Sequence, residues 1–568
     1  MQTNPKDPVK KTGISCHSSG LSYIHNPGVN PLRYVTIGRM IEDAASKYGK
    51  TVALVSMSDN IRITYEELLR DIDQLAAGLL SLGLVKGDRI GLWAPNFIEW
   101  VVTFFATARA GFITVCLNPS CEAPELKYFI NKCGIKALVC PDKFKTLDFY
   151  GKLCKLIPDL GGTVQNEEVP TLKLVIMISQ QKLRGTYNYN EVLDMADAAG
   201  MQRVKEEQWK ISPDDICNIQ FSSGTTGLPK GACLTHFQVV NNSYQIGQLL
   251  KFETVQHKVC VQVPLFHVFG VVAHLGLCPQ FGTTMVFPTP IYNSTANLTA
   301  LEQERCSAVF GTPTMFVDLV NLQRKLNKKI YATIAGMGGA PCPPSVINSI
   351  KDGLQIKHVI IGYGATEITG IAFHTSIDDN EYQGTETVGR IANYIEAKVV
   401  DSKGDVVPCG TPGELCVRGY LVMEGYWNDP EKTKEVICDA NWYRTGDQFI
   451  FDKDGYARVV GRVKDMIIRG GENIFPKEIE NCLSEHPDIL EVSVIGVDSE
   501  RLGEEVCACV QLKPGSEMSL DSLKEFCKGK IASYKIPSHL EIVEAFPKTS
   551  IGKVKKFVLR EQIKKNIK

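Results

Sequence analysis

Between Thr64 and Trp93 the chain changes period within thirty residues, and that change constrains the fold more than any other feature. Thr64 and Glu67 form the S/T-x-x-E pattern of a capping box. Leu68, Leu69, Ile72, Leu75, Ala76, Leu79 and Leu80 then recur at the helical period until Gly83 ends the run. Arg89-Ile90-Gly91-Leu92-Trp93 follows at once as a strand, and similar short apolar runs stand at Ala137–Cys140, Leu174–Ile178, Lys258–Val263 and His358–Ile361. Helix and strand signals in alternation predict an α/β architecture, in layers, with phosphate-binding loops at strand ends.

A chain of 568 residues is too long for one hydrophobic core, because cores stop growing near ~250–300 residues. After about Asp401 the pattern turns to shorter strands and Gly/Pro-rich turns, as in "DSKGDVVPCGTPGEL". A boundary is expected around Gly461–Asp465. It divides a large multi-layer N-terminal domain over 35–461 from a small α+β domain over 462–568. The small domain should hold a helix from Pro476, paired strands across Glu491–Val497 and Glu505–Leu512, and a helix from Ser519. Residues 1–34 are expected to be a flexible or transit-like segment: Lys6, Lys10 and Lys11 stand there with several serines and the single acid Asp7.

Several function classes are disfavoured at this level. A formal charge of -1 creates no global field for nucleic acid or anionic lipid. The most apolar stretch, Trp100 to Leu117, is interrupted by Thr103, Arg109 and Gly111, so a buried helix running into a strand is expected rather than a membrane span. The 19 cysteines include no C-x-x-C pair, and Cys507-Ala508-Cys509 is too tight for a usual zinc knuckle, so reduced and largely buried thiols are expected. N-x-S/T matches at Asn241, Asn293 and Asn297 are read as chance.

"FSSGTTGLPKG", Phe221 to Gly231, concentrates anion-seeking groups. Glycine-exposed amides, the hydroxyls of Ser222, Ser223, Thr225 and Thr226, and the ammonium of Lys230 suit a polyphosphate. An apolar run, Ile216–Phe221, precedes the loop, and Leu234–Leu250 reads as helical. The spacing is not that of a P-loop, since Pro229-Lys230-Gly231 stands where Gly-Lys-Ser/Thr would be required.

"SSGTTGLPKG" resembles the signature of the adenylate-forming superfamily, which includes acyl-CoA synthetases, luciferases and peptide-synthetase adenylation domains. "GYGATE" at Gly362–Glu367, "YRTGD" at Tyr443–Asp447, "GRVKDMIIRGGENIFP" at Gly461–Pro476 and "PKTSIGK" at Pro547–Lys553 are similar to its other motifs, in the same order. The likeness runs from about residue 35. Within the superfamily, "NIQFSSGTTG", "FGTPTMFVDL", "KDMIIRGGENI" and "EFCKGKI" most resemble acyl-CoA synthetases of the medium-chain fatty acid type.

The resemblance implies ATP-dependent activation of a fatty acid to an acyl-adenylate and then to an acyl-CoA, with ATP, Mg²⁺ and coenzyme A as cosubstrates or cofactors. It implies that Ser222, Ser223, Gly224, Thr225, Thr226, Gly227 and Lys230 hold the β- and γ-phosphates. Thr366 would touch the α-phosphate, Glu367 would hold Mg²⁺ and Tyr363 would stack on adenine, with Gly339, Ala340 and Gly364 also at the nucleotide. Asp447 would accept the ribose hydroxyls beside Arg462. Lys553 would be a catalytic lysine carried by a mobile small domain. Lys464 would be the hinge, and Gly470 and Gly471 would let the pantetheine arm pass. His267, Gly311, Thr312 and Gly338 would line the acyl pocket.

Small residues at those pocket positions suit an unbranched chain, and no acid stands at Phe266 or His267 to hold an amino acid's ammonium. A luciferase-like or aryl-acid ligase, and a non-catalytic acyl- or nucleotide-binding protein, remain open as alternatives. The resemblance also implies a mitochondrial location, with the cytoplasm as the alternative.

Overall fold

The computed structural model describes residues 20–160, 167–222, 229–469, 472–499, 501–549 and 552–563. Two large sheets form the body of the first domain. One has the spatial order Tyr187–Asn188, Leu174–Ile178, Ile135–Pro141, Arg89–Leu92, Ile113–Cys116, Ile216–Ser222, Lys230–Thr235 and Gly425–Tyr426. Its pairings are parallel until Ile216–Ser222 and antiparallel from there on. In the second sheet a parallel block of His358–Tyr363, Ile334–Gly338, Ala308–Gly311, Lys258–Val261, Thr284–Phe287 and Val52–Ser56 is flanked by antiparallel edges.

Helices Ile37–Tyr48, Tyr65–Ser81, Ile98–Ala110 and His236–Leu249 lie between the two sheets and share one apolar core with both. Ala123–Cys133 and Phe149–Leu156 cover the outer face of the first sheet. Ser294–Gln303, Pro313–Leu326 and Pro344–Leu354 cover that of the second. Sheets whose strands are buried on both faces read as continuous apolar runs rather than alternating ones, which is why Ala137–Cys140 and Leu174–Ile178 stood out in the sequence.

A third sheet, mostly antiparallel, joins Tyr23–Asn26, Ile395–Val400, Gly413–Gly419, Trp442–Phe451 and Ile437–Cys438, with Ala457–Arg462 also paired to Trp442–Phe451. The smaller C-terminal domain is built on Glu472–Ile474, Ile467–Arg469, Gly503–Leu512 and Ile489–Ser499, with His539–Ile542 added in parallel. Its helices Pro476–Ser484 and Leu520–Cys527 begin where the sequence placed them.

The capping box at Thr64 and Glu67 is formed in both directions. Trp100–Leu117 is a helix, Ile98–Ala110, running into the strand Ile113–Cys116 through Gly111 in the left-handed conformation (φ 75°). Among the described residues no helix is long and apolar enough to cross a membrane. Asn241 and Asn297 are fully buried, so neither is open to glycosylation in the folded chain.

Two expectations need correction. Residues 20–34 are ordered: Tyr23–Asn26 pairs antiparallel with Ile395–Val400. Arg33 and Asn241 exchange two hydrogen bonds, of 2.7 and 2.9 Å, through the Arg33 backbone and the Asn241 side chain. The large body of the protein therefore begins before residue 35. Lys230–Thr235, read as the end of a loop and, from Leu234, as the start of a helix, is a strand, because both its neighbours offer ladder partners, and the helix begins at His236.

Arg109, which counted against a membrane span, is wholly buried between the sheets. Its guanidinium pairs with Asp73 and donates to Gln208 Oε1 at 2.7 Å and to the Gly38 carbonyl at 3.1 Å. Removing one partner of a buried pair leaves the other charged and desolvated, at a cost of about 3–5 kcal/mol. Arg109→Met is therefore expected to lower the free energy of unfolding, obtained by extrapolating urea denaturation to zero urea, by that order. A value equal to the parent's would show that Asp73 is tolerated without its partner.

Candidate active site

The glycine- and hydroxyl-rich segment joins two antiparallel strands, Ile216–Ser222 and Lys230–Thr235, in which Ser222 stands opposite Lys230. Residues Ser223, Gly224, Thr225, Thr226 and Gly227 lie outside the described residues. The rim is defined by its neighbours. Lys230 Nζ lies 4.9 Å from the centre of the Tyr426 ring, within cation–π range. Tyr426 is brought there by Gly425–Tyr426, which pairs with the second hairpin strand so that Ala232 faces Tyr426. Its hydroxyl donates to Glu367 Oε1 at 2.9 Å. A single buried aromatic side chain thus links the lysine of the hairpin to the acid of the Gly-Tyr-Gly-Ala-Thr-Glu turn.

That turn follows strand His358–Tyr363. Gly364 is required by close approach: a Cβ there would lie 1.4 Å from the Gly370 carbonyl oxygen. Thr366 and Glu367 begin a single 3₁₀ turn and are both buried. Glu367 is also fixed through its backbone, since its carbonyl accepts from Met423 N at 2.9 Å. Among the described residues no group of three or more His, Cys, Asp or Glu could hold a metal by itself. A lone carboxylate suits a hard cation that brings its remaining ligands with a phosphate substrate, the usual situation of Mg²⁺.

Tyr363 directs its hydroxyl to Asp447 Oδ2 at 2.6 Å, and its ring meets Phe449 edge-on at 4.6 Å. Asp447 Oδ1 pairs with Arg462 Nε at 3.0 Å. The pairing is dictated by register, because Asp447 stands opposite Arg462 in the antiparallel ladder. Burial and the adjacent carboxylate both push the Tyr363 phenol up, so it remains a donor.

The small domain contributes Lys553. Thr549 closes its turn: Thr549 N donates to the Lys553 carbonyl at 2.7 Å, and Lys553 N donates to Thr549 Oγ1 at 3.1 Å. Gly552 has φ 81°, and a Cβ on it would sit 3.8 Å from Thr314 Oγ1 of the large domain. The Lys553 ammonium lies in the field of Arg462, Asp447, Asp465 and Glu367. Burial, reinforced by Arg462, pushes its pKa down to about 8, and the three carboxylates oppose that shift.

His267 borders a small apolar pocket with Val263, Pro264, Phe269, Thr312 and Gly339. Burial, with a smaller contribution from Lys553, pushes its pKa down to about 4, so the ring is neutral at physiological pH. Nδ1 accepts from Phe269 N at 3.2 Å, which leaves the ring proton on Nε2. Gly338 has no room for a side chain, as its Cβ would lie 2.8 Å from the Gly362 carbonyl. Gly311 is crowded by Gln262. Ala340 accepts from the Cys342 thiol at 3.3 Å, and burial pushes that thiol up to about 12.

The structure therefore gathers Lys230, Tyr363, Thr366, Glu367, Asp447, Arg462, Lys553, His267, Thr312, Gly338 and Gly339 around one cleft at the ends of the parallel strands. Lys464 lies apart, exposed on the 3₁₀ turn Val463–Asp465 between the two domains' sheets. Gly470 and Gly471 lie outside the described residues. Tyr426 and Thr549 escaped the sequence reading. Tyr426 follows a glycine in a polar segment that carries no helical or strand period of its own.

Residues 41–427 match the AMP-binding enzyme family, and residues 478–553 match the AMP-binding enzyme C-terminal domain. The chain belongs to the AMP-binding enzymes. Its relatives include the medium-chain acyl-CoA ligase ACSF2, mitochondrial, of Danio rerio, 42% identical over 554 residues, which are 96% of this chain and 91% of the relative. The protein of the same name from Homo sapiens is 40% identical over 569 residues, with 98% and 92% covered. Among solved structures, ATP-bound MatB from Rhodopseudomonas palustris aligns with TM-score 0.82 and 25% identity, covering 94% of this chain and all of that one. A Mycobacterium tuberculosis fatty acyl CoA synthetase aligns with TM-score 0.69 and 26% identity, covering 94% and 99%.

In this AMP-binding enzyme the bond from Tyr426 to Glu367 is a hydrogen bond to a charged group, worth about 1.5–3 kcal/mol. Tyr426→Phe keeps the ring under Lys230 and deletes only the donor. The free energy of unfolding, measured by urea denaturation, is expected to fall by about that amount, and an unchanged value would mean that Glu367 needs no such support.

Proposed function

We propose that this protein is an ATP-dependent acid:CoA ligase that acts on fatty acids of medium chain length. The reading rests on one observation above the others: a lysine of the small domain, Lys553, is held in the field of Asp447, Arg462 and Glu367 of the large-domain cleft, beside His267. Family membership and the names of the relatives support it.

A carboxylate is a poor acyl donor because oxide is a poor leaving group. In the first step a carboxylate oxygen attacks the α-phosphorus of ATP, the bond to the bridging oxygen of pyrophosphate breaks, and a mixed anhydride with AMP results. Negative charge crowds the cleft in that step, so the protein's part is positioning and charge stabilisation. Ser222, the hydroxyls and amides of 223–227, and Lys230 hold the outer phosphates. Thr366 donates to the α-phosphate. Tyr363 packs on adenine beside Gly339, Ala340 and Gly364, and Asp447 accepts from the ribose while Arg462 keeps it oriented. Glu367 would hold Mg²⁺, which when bound offsets phosphate charge. Lys553 bridges the attacking carboxylate and the α-phosphate, and His267 offers its Nε2 proton to the carboxylate.

In the second step the thiolate sulfur of coenzyme A attacks the carbonyl carbon and AMP leaves, giving the thioester. Lys553 has no part in that step, and rotation about Lys464 would turn Gly470 and Gly471 toward the pantetheine arm. Thr312 and Gly338 leave the acyl path free of branches, whereas Gly311, expected to line it, faces Gln262 and Phe316 on the other side of the sheet. A mitochondrial location is proposed from the relatives' names and the basic N-terminal segment, and the partners are small molecules.

Exchange of labelled pyrophosphate into ATP is expected with medium-chain fatty acids. No exchange with fatty, aryl or amino acids would sink the ligase reading. Lys553→Ala should lower acyl-adenylate formation by roughly a thousandfold, as for loss of an oriented charge at a developing anion, while sparing thioester formation from supplied acyl-adenylate. Equal loss of both steps would contradict the assignment.

The pH dependence has a definite sign. The Lys553 pKa is lowered from the ordinary lysine value of 10.5 to about 8, so the free enzyme loses this cation as pH rises through about 8. For adenylation, kcat/KM, which reports groups of the free enzyme, is expected to fall above that pH. The thioester half-reaction should show no such alkaline fall. A flat adenylation profile up to pH 10 would exclude a working ammonium at this position.

A further inference from the structure

The pocket beside His267 lies on the face of the second sheet that looks toward the inter-sheet helices, since its lining residues Val263 and Thr312 alternate to the same side as Val261 and Phe310 of the shared core. Thr312 lines it, and Thr312 continues the extended backbone of strand Ala308–Gly311 (φ −82°, ψ 159°), so Phe310 points to the same side one pleat repeat deeper, about 6.6 Å. The register places Val261 and Gly336 on either side of Phe310. Phe310, Val261 and Val271 belong to the same inter-sheet core. The face below the pocket therefore presents Val261, Phe310 and Gly336 in a row.

The Phe310 ring lies over Gly336. A Cβ at Gly336 would stand 2.5 Å from Phe310 Cδ1, inside any permitted contact, and 3.1 Å from Cε1, a tight one. Two further neighbours of the ring are aromatic. His274, on the π-helical turn Val271–Gly276, meets it edge-on at 5.6 Å, and Phe252 stacks beyond at 6.3 Å. Single π-turns occur mostly as local insertions at functional sites. Here the turn follows His267 and Phe269 directly and carries the pocket wall down to Phe310.

We propose that Phe310 is the floor that sets acyl chain length, and that Gly336 is the notch that receives its ring. This rests on the ligase reading, in which the carboxylate lies by His267 and the alkyl chain descends along the sheet past Thr312. A chain that reaches past one pleat repeat meets the flat of the Phe310 ring. Without a side chain at 336 the ring lies back against the strand. With one, it is forced up toward the pocket.

The two positions make opposite demands. Thioester formation is measured for wild type, Phe310→Val and Gly336→Ala with saturated straight-chain acids from four to sixteen carbons. Phe310→Val is expected to move the preferred acid at least two carbons longer and to raise kcat/KM for the longest acids about tenfold relative to the medium-chain optimum. Gly336→Ala is expected to move it shorter, and the double variant to return toward the wild-type profile, because the displaced ring is gone. Near-ultraviolet circular dichroism establishes that each variant is folded. A folded, active Phe310→Val with an unchanged profile overturns the proposal, as does a Gly336→Ala profile that moves longer. If Phe310→Val does not fold, the direction of the Gly336→Ala shift decides. Wild type that converts no acid of the series overturns the ligase reading itself, an outcome distinct from an unmoved optimum.

Discussion

A cation taken out of water between two domains must be repaid by anions placed around it, and the cleft is arranged around that requirement. Lys553 comes from a turn fixed by Thr549 in the small domain, and its counter-charges, Asp447 and Glu367, belong to the large one. Burial first, and Arg462 after it, push the lysine pKa down, and the carboxylates oppose that shift.

The same economy of parts governs the opposite wall. Asp447 and Arg462 are paired by ladder register, Glu367 is steadied by Tyr426, and Tyr426 is set by its pairing with the strand that carries Lys230. Backbone hydrogen bonds of the sheets therefore determine where most of the charged groups stand.

How legible this was in the sequence depended on the range of the interaction. Thr64 and Glu67 could be read directly, because a capping box is complete within four residues. The buried strands could be read because immersion on both faces enforces continuous apolar runs. Lys230–Thr235 could not: a lysine, a glycine and a threonine in six residues show no strand period, and pairing on two sides overrides that weakness. Tyr426 and Glu367 meet across 59 residues, and nothing local marks either for the other. The family motifs placed Lys553, Asp447 and Arg462, but a lysine in a basic tail looks solvated, so its burial became visible only in three dimensions. The order of residues 20–34 was missed for a similar reason, since the partner of Tyr23–Asn26 lies beyond residue 390.

The thiols carry a last consequence. Apart from Cys438, every described cysteine is at least partly covered, and burial raises most of them, Cys233 within the second hairpin strand and Cys342 beside Ala340 each to about 12. Thiolate, not thiol, is the acyl acceptor. The raised pKa keeps Cys233 and Cys342 in the protonated, weakly nucleophilic form, so an activated anhydride formed by the enzyme spares these two sulfurs in favour of a thiol that arrives from solution.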